Sequence, residues 1–156
     1  MADAEPRTPA AAVEELLEEV VRGLGLDATI EIEDDGETVA GTLNGEDLGL
    51  FIGRHGQTID AVQHLAQRIT GARAADGRRI VIDAEGYRER RETMLQRQAD
   101  HAAEAAVRSA RPVALDAMTA SERRLVHEYL RDHEAVQTYS EGDEPDRHLV
   151  VAPRDT

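Results

Sequence analysis

Between residues 48 and 71 the chain reads LGLFIGRHGQTIDAVQHLAQRITG. Two glycines, Gly53 and Gly56, bracket Arg54 and His55 where a short apolar segment stops and a helical period starts. This junction constrains the fold more than any other stretch. Glycine tolerates backbone conformations and close approaches that other residues resist, and a helix starting directly behind it offers free N–H groups and the positive end of its dipole. Ile59, Val62, Leu65, Ala66 and Ile69 recur at helical spacing as far as Gly71, which predicts an amphipathic helix from Gln57. An anionic backbone can lie against such a loop because no Cβ stands in its way. Arg54 adds a charge-assisted contact to phosphate, and His55 adds a donor whose charge depends on pH. Ile52, Gly53, Arg54, His55, Gly56 and Gln57 are therefore the first candidate binding residues.

The flanks supply an order of elements. Residues 1–9 are polar with two prolines and predict a disordered tail. Val13, Leu16, Leu17, Val20, Val21 and Leu24 predict a first helix from Ala10, stopped by Gly23 and Gly25. ATIEIED and TVAGTL, joined through Asp35-Gly36, predict an antiparallel hairpin. RRIVIDA predicts a third strand after the central helix. Beyond it, Tyr87 to about Ala110 predicts a long helix, rich in arginine early and in alanine late, ended by Arg111-Pro112. A short extended VAL follows, then a helix opened by Thr119 and Glu122 as a capping box, then two strands around the polar turn EGDEPD.

Charge bears on the ligand class. The chain carries a formal net charge of −14, with 18 arginines, no lysine and no cysteine. Disulfides, thiolate nucleophiles, cysteine zinc sites, Walker-type phosphate loops and Schiff-base lysines are thereby excluded. Phosphate neutralisation dominates nucleic-acid affinity, so the net charge taken alone argues against it. The distribution reverses that reading in the middle of the chain: residues 1–50 sum to −12, residues 53–111 to +3 and residues 112–156 to −5. No stretch approaches the roughly 20 apolar residues of a membrane span, and the start lacks a signal peptide's regions, so a cytoplasmic location is expected.

A second candidate pair lies in SERRLVHEYL, where Arg123 and His127 stand four residues apart on one helix face. There they can present two donors to one phosphate, with Arg124 as an accessory. The run MTASERRLVHEYLRDHEAVQTYSEGDEPDRHLVVAP resembles the R-three-H domain, named for Arg-x-x-x-His. The stretch LFIGRHGQTIDAVQHLAQRI and the order of elements around it resemble a type II KH domain. Joined through DAEGYRERRETML, the long helix and RPVAL, the two resemble the bacterial Jag family, also called KhpB or EloR. The implied fold is α+β: residues 10–85 form a KH domain, a three-stranded sheet with helices on one face, and residues 86–156 form a small α+β R-three-H domain that includes its long leading helix. The resemblance implies binding of single-stranded RNA, with the Gly-x-x-Gly loop clamping about four nucleotides and bases lying in an aliphatic groove. It further implies a role in cell elongation and division, a small single-KH-domain partner of the KhpA type and proximity to the membrane insertase.

Other readings compete less well. Four aromatic residues are too few for the base-stacking sheet of an RRM. EIEDDG lacks the twelfth-position glutamate of a calcium loop, the six histidines show no H-E-x-x-H spacing, and no serine sits in a nucleophile elbow. His64 and His101 are expected to border helix cores. Neither an enzyme nor a cofactor is expected. Single-stranded DNA stays open as a ligand, since neither motif by itself reads a 2′-hydroxyl. The alternative from another class is a protein-interaction module of a cell-envelope complex, with nucleic-acid binding incidental.

Overall fold

Thr8 stands in the extended region and its Oγ1 accepts the Ala11 N–H at 3.2 Å, so helix α1 (Pro9–Leu24) starts with proline in its first turn. Thr8 and Pro9 therefore belong to the helix start, which comes one residue earlier than the apolar period alone predicts. The computed structural model describes residues 7–71 and 77–155, so residues 1–6 of the expected tail lie outside the described residues. Gly25, left-handed at φ 65°, closes the helix, whereas Gly23 lies within it.

Two compact units divide the described residues, one ending at Arg88 and the other starting at Glu89. In the first, β1 (Thr29–Asp34) and β2 (Thr38–Asn44) form the expected antiparallel hairpin. Its turn is tied by Asp35, whose Oδ1 accepts the N–H groups of Glu37 at 2.8 Å and Thr38 at 2.6 Å. A one-turn helix, α2 (Gly49–Ile52), precedes α3 (Gln57–Thr70), and β3 (Arg79–Ala84) then pairs parallel with β2. The strand order is β1-β2-β3. Val39, Gly41 and Leu43 on β2 alternate with half-buried neighbours, as do Ile80, Ile82 and Ala84 on β3, so one face of the sheet is covered. Val13 and Leu17 of α1 and Ile59, Val62 and Ala66 of α3 fill that face together with Leu48 and Phe51. At Gly41 a side chain would meet Leu17 Cδ1 at 2.7 Å, which is how closely α1 crosses the sheet.

The second unit is built on α4 (Tyr87–Ser109) from Glu89 onward, followed by β4 (Val113–Ala117), α5 (Ala120–Leu130), β5 (Val136–Glu141) and β6 (His148–Pro153). Leu95, Ala99, Ala102, Ala103 and Ala106 of α4 pack with Val126, Leu130, Val136, Leu149 and Val151. Alanines suit this helix because small side chains let its axis approach the sheet. The capping box at Thr119 and Glu122 is reciprocal, each residue's side chain accepting the other's backbone N–H. The last strand of the sequence is the middle one of the sheet, in the order β4-β6-β5. Its burial runs unbroken from Leu149 to Ala152, as a central strand's does.

Candidate nucleic-acid interface

Phe51 is fully buried and anchors α2, so the chain leaves the core at Gly53 in a fixed direction. Gly53 (φ 73°, ψ 178°) donates to Gly49 O at 2.8 Å, and Gly56 (φ 78°, ψ 15°) donates to Gly53 O at 3.3 Å. Between them His55 takes a left-handed φ of 55°, uncommon for a residue with a side chain. The glycines have an internal reason besides the one expected. A Cβ on Gly53 would lie 2.3 Å from Thr58 Oγ1, and one on Gly56 would lie 2.8 Å from Tyr87 Oη. Both directions point into the protein, so the glycines are demanded by the tightness of the turn. The turn in its place lifts Arg54 and His55 into solvent, where both are exposed.

Behind the loop, no side chain caps the amino terminus of α3. Its first-turn acid, Asp60, accepts from Arg88 Nη1 at 2.9 Å. Arg88 also donates through Nη2 to Gln63 Oε1 at 3.0 Å and through Nε to Ile82 O at 2.8 Å, while the same Gln63 oxygen accepts the Ile82 N–H at 2.9 Å. One arginine thus ties α3 to β3 and neutralises the carboxylate closest in sequence to the loop. Arg54 enters no ion pair among the described residues, so the charge at the helix start stays positive. Gln57 is exposed at the same end, and Ile52 is half-buried. Leu50, absent from the sequence-based candidates, is 65% exposed on α2, two residues from Ile52. Its signal was faint: in LGLFI only Leu48 and Phe51, three apart, are needed for anchoring.

Two expectations for helix faces are corrected. Leu65 and Ile69, assigned to the covered stripe of α3, are 50% and 53% exposed, because α1 and the sheet cover only the narrower arc of Ile59, Val62 and Ala66. His64 and His101, expected at core margins, are exposed as well.

In the second unit Arg123 and His127 do share a side of α5, but they differ in availability. Arg123 is 8% exposed; its Nη1 donates to Met118 O at 2.7 Å and its Nη2 pairs with Glu144 Oε1 at 2.8 Å. The picture of two free donors is thereby corrected: a carboxylate already faces the guanidinium. His127 is exposed, and its Nδ1 shares a hydrogen bond with Thr138 Oγ1, so Nε2 is the ring nitrogen left for a ligand. Arg124 pairs with Glu128 on the outer face. Sequence reasoning also missed Tyr87 and Glu144, each far along the chain from the residue it meets. Among the described residues no group of three or more His, Asp or Glu is placed to hold a metal, and no helix is long and apolar enough to cross a membrane.

Comparison with known proteins agrees with this architecture. The sequence model described as the KhpA/KhpB KH domain matches residues 10–83, and that of the R-three-H domain matches residues 93–153. The protein named RNA-binding protein KhpB in Clostridium symbiosum is 34% identical over 140 residues, covering 88% of this chain and 63% of that protein. Its namesake in Lactiplantibacillus plantarum is 41% identical over 137 residues, covering 86% of this chain and 42% of that protein. That of Bacillus subtilis is 28% identical over 138 residues, with 87% and 66% covered. The chain thus spans less than two thirds of the length of these relatives. With a KhpA/KhpB-type KH domain followed by an R-three-H domain, it belongs to the KhpB family.

Proposed function

We propose that this chain binds single-stranded RNA as a cytoplasmic, non-catalytic regulator, gripping phosphates with Gly53–Gly56 and with the Arg123/His127 side of α5. The observation that carries the reading is the pair of exposed residues Arg54 and His55, held on a left-handed turn directly ahead of a helix start that no side chain caps. The positive end of a helix dipole and an exposed guanidinium stand together there, which suits a phosphate. Leu50 and Ile52 beside it provide an aliphatic surface for bases. The relatives' name, RNA-binding protein, supports RNA as the ligand. A link to cell elongation and division follows from the family resemblance.

The test is fluorescence anisotropy of a short single-stranded RNA pool with wild type and with Arg54→Asp/His55→Asp, at low and moderate salt. The wild type is expected to bind with an affinity that falls as salt rises, and the double variant to lose most of it. Equal binding by both proteins, both folded by circular dichroism, would refute the loop as the clamp. Competition by matched DNA oligomers ranks the two nucleic acids.

A protein contact on the first unit is a second reading, favoured by Leu65 and Ile69, an exposed aliphatic pair one helical turn apart. A KhpA-type single-KH-domain partner fits such a patch. Leu65→Asp should abolish its capture while leaving RNA binding intact.

A further inference from the structure

Arg88 is occupied by Asp60, Gln63 and Ile82, and Arg91 Nε pairs with Glu122 Oε1 at 2.8 Å where both side chains are nearly covered. Arg90, Arg97 and Arg108 are exposed, as is His101. These four are separated by seven, four and seven residues. At about 100° per residue that spacing puts all four within roughly 20° of a single line along the helix. The line runs opposite the buried face of Leu95, Ala99, Ala102, Ala103 and Ala106. From Arg90 to Arg108 it is about 27 Å long, the rise of roughly eight stacked nucleotides.

The acids of the helix stand off this line. Asp100 accepts the Tyr129 hydroxyl at 3.1 Å and Glu92 accepts from Gln96. Glu104 alone borders it, at the position between His101 and Arg108. Arg97, His101 and Arg108 meet no carboxylate among the described residues. In a chain of net charge −14, such a line is a local reversal of sign carried on a rigid element. We propose that the solvent ridge of α4, Arg97, His101 and Arg108 extended by Arg90, is a further binding site for the sugar-phosphate backbone of single-stranded nucleic acid, independent of base sequence. It rests on the nucleic-acid reading above and adds a contact surface that neither the Gly-x-x-Gly loop nor the Arg-x-x-x-His helix supplies.

The experiment titrates a single-stranded RNA of about 16 nucleotides, the upper range for one extended binding groove, with wild type, Arg97→Gln/Arg108→Gln, Glu104→Gln and Arg54→Asp/His55→Asp over a salt series. Each phosphate contact on a single strand contributes about 0.7 to the slope of log affinity against log salt, so the ridge variant should bind more weakly with a slope lower by about 1.4. Glu104→Gln removes the bordering acid and should bind more tightly than wild type. All substituted side chains are exposed, and circular dichroism verifies the folds. An unchanged slope and affinity in Arg97→Gln/Arg108→Gln, with binding lost in the loop variant, overturns the ridge and leaves the loop standing. A lowered slope in the ridge variant, with the loop variant binding as wild type does, supports the ridge and refutes the loop. Failure of the wild type to bind any strand refutes both.

Discussion

Gly56→Ala tests why the loop is built as it is. At φ 78° an alanine Cβ crowds the following carbonyl, which costs about 1 kcal/mol relative to glycine. The same Cβ would lie 2.8 Å from Tyr87 Oη and 2.9 Å from its Cε1, well inside contact distance. Relief requires the ring or the loop to move, at about 1–3 kcal/mol as in other overpacked sites. The two together predict a loss of about 2–4 kcal/mol, a large share of the 5–15 kcal/mol that holds a typical domain folded. Tyr87→Ala separates the contributions: in that background Gly56→Ala should cost only the backbone part, about 1 kcal/mol. Native-state hydrogen exchange at the buried β2 residues Val39 and Leu43 reads the first unit alone, whatever the second unit does. If Gly56→Ala costs the same in both backgrounds, within about 0.5 kcal/mol, the ring is not what demands the glycine and the reasoning fails.

Arg88→Met removes the donors to Ile82 O, Asp60 and Gln63 and should lower the stability of the first unit by about 1–2 kcal/mol, discounted because a third of the side chain is exposed. It should also weaken RNA binding, since Asp60 then faces the start of α3 unpaired; a variant as stable as wild type in hydrogen exchange would refute the clamp. Glu144→Gln takes the carboxylate away from Arg123 and is expected to raise RNA affinity several-fold, up to about tenfold for one charge-assisted phosphate contact; reduced affinity in the titration would show that Arg123 is structural only. Asp35 accepts the N–H groups of Thr38 and Glu37, which holds its carboxyl below the usual value. A depressed folded-state pKa stabilises the hairpin above the unfolded value near 3.8, and that stabilisation is lost as pH falls through the folded value. Acid titration followed by circular dichroism should therefore show a flatter acid limb in Asp35→Ala than in wild type.

Features set by neighbours in sequence were legible before the structure. The Asp35 turn, the Thr119–Glu122 box, the Gly53–Gly56 loop and the alanine face of α4 each rest on residues within a few positions of one another, where backbone geometry alone decides contact. The α+β order of elements followed from them. What escaped sequence reasoning depends on long-range partners. Periodicity marks Leu65 and Ile69 as apolar, but how wide an arc of α3 is covered depends on α1 and the sheet. Tyr87 lies 31 positions from Gly56 and Glu144 lies 21 positions from Arg123, so neither the tightness of the loop nor the occupation of the guanidinium could be read along the chain. The central place of β6 escaped for the same reason.

That central place sets an order of events during synthesis. The first unit has all three of its strands once Ala84 has emerged, and its Arg88 tie four residues later. The second unit cannot begin its sheet at that stage, because β4 and β5 each pair only with β6, whose last residue is Pro153. A growing chain therefore carries a finished Gly-x-x-Gly loop while the Arg-x-x-x-His helix still waits for its sheet. During that interval the ribosome displays the first unit complete and the second without its sheet, so whatever the proposed loop site does it can do before the proposed Arg123/His127 site has formed.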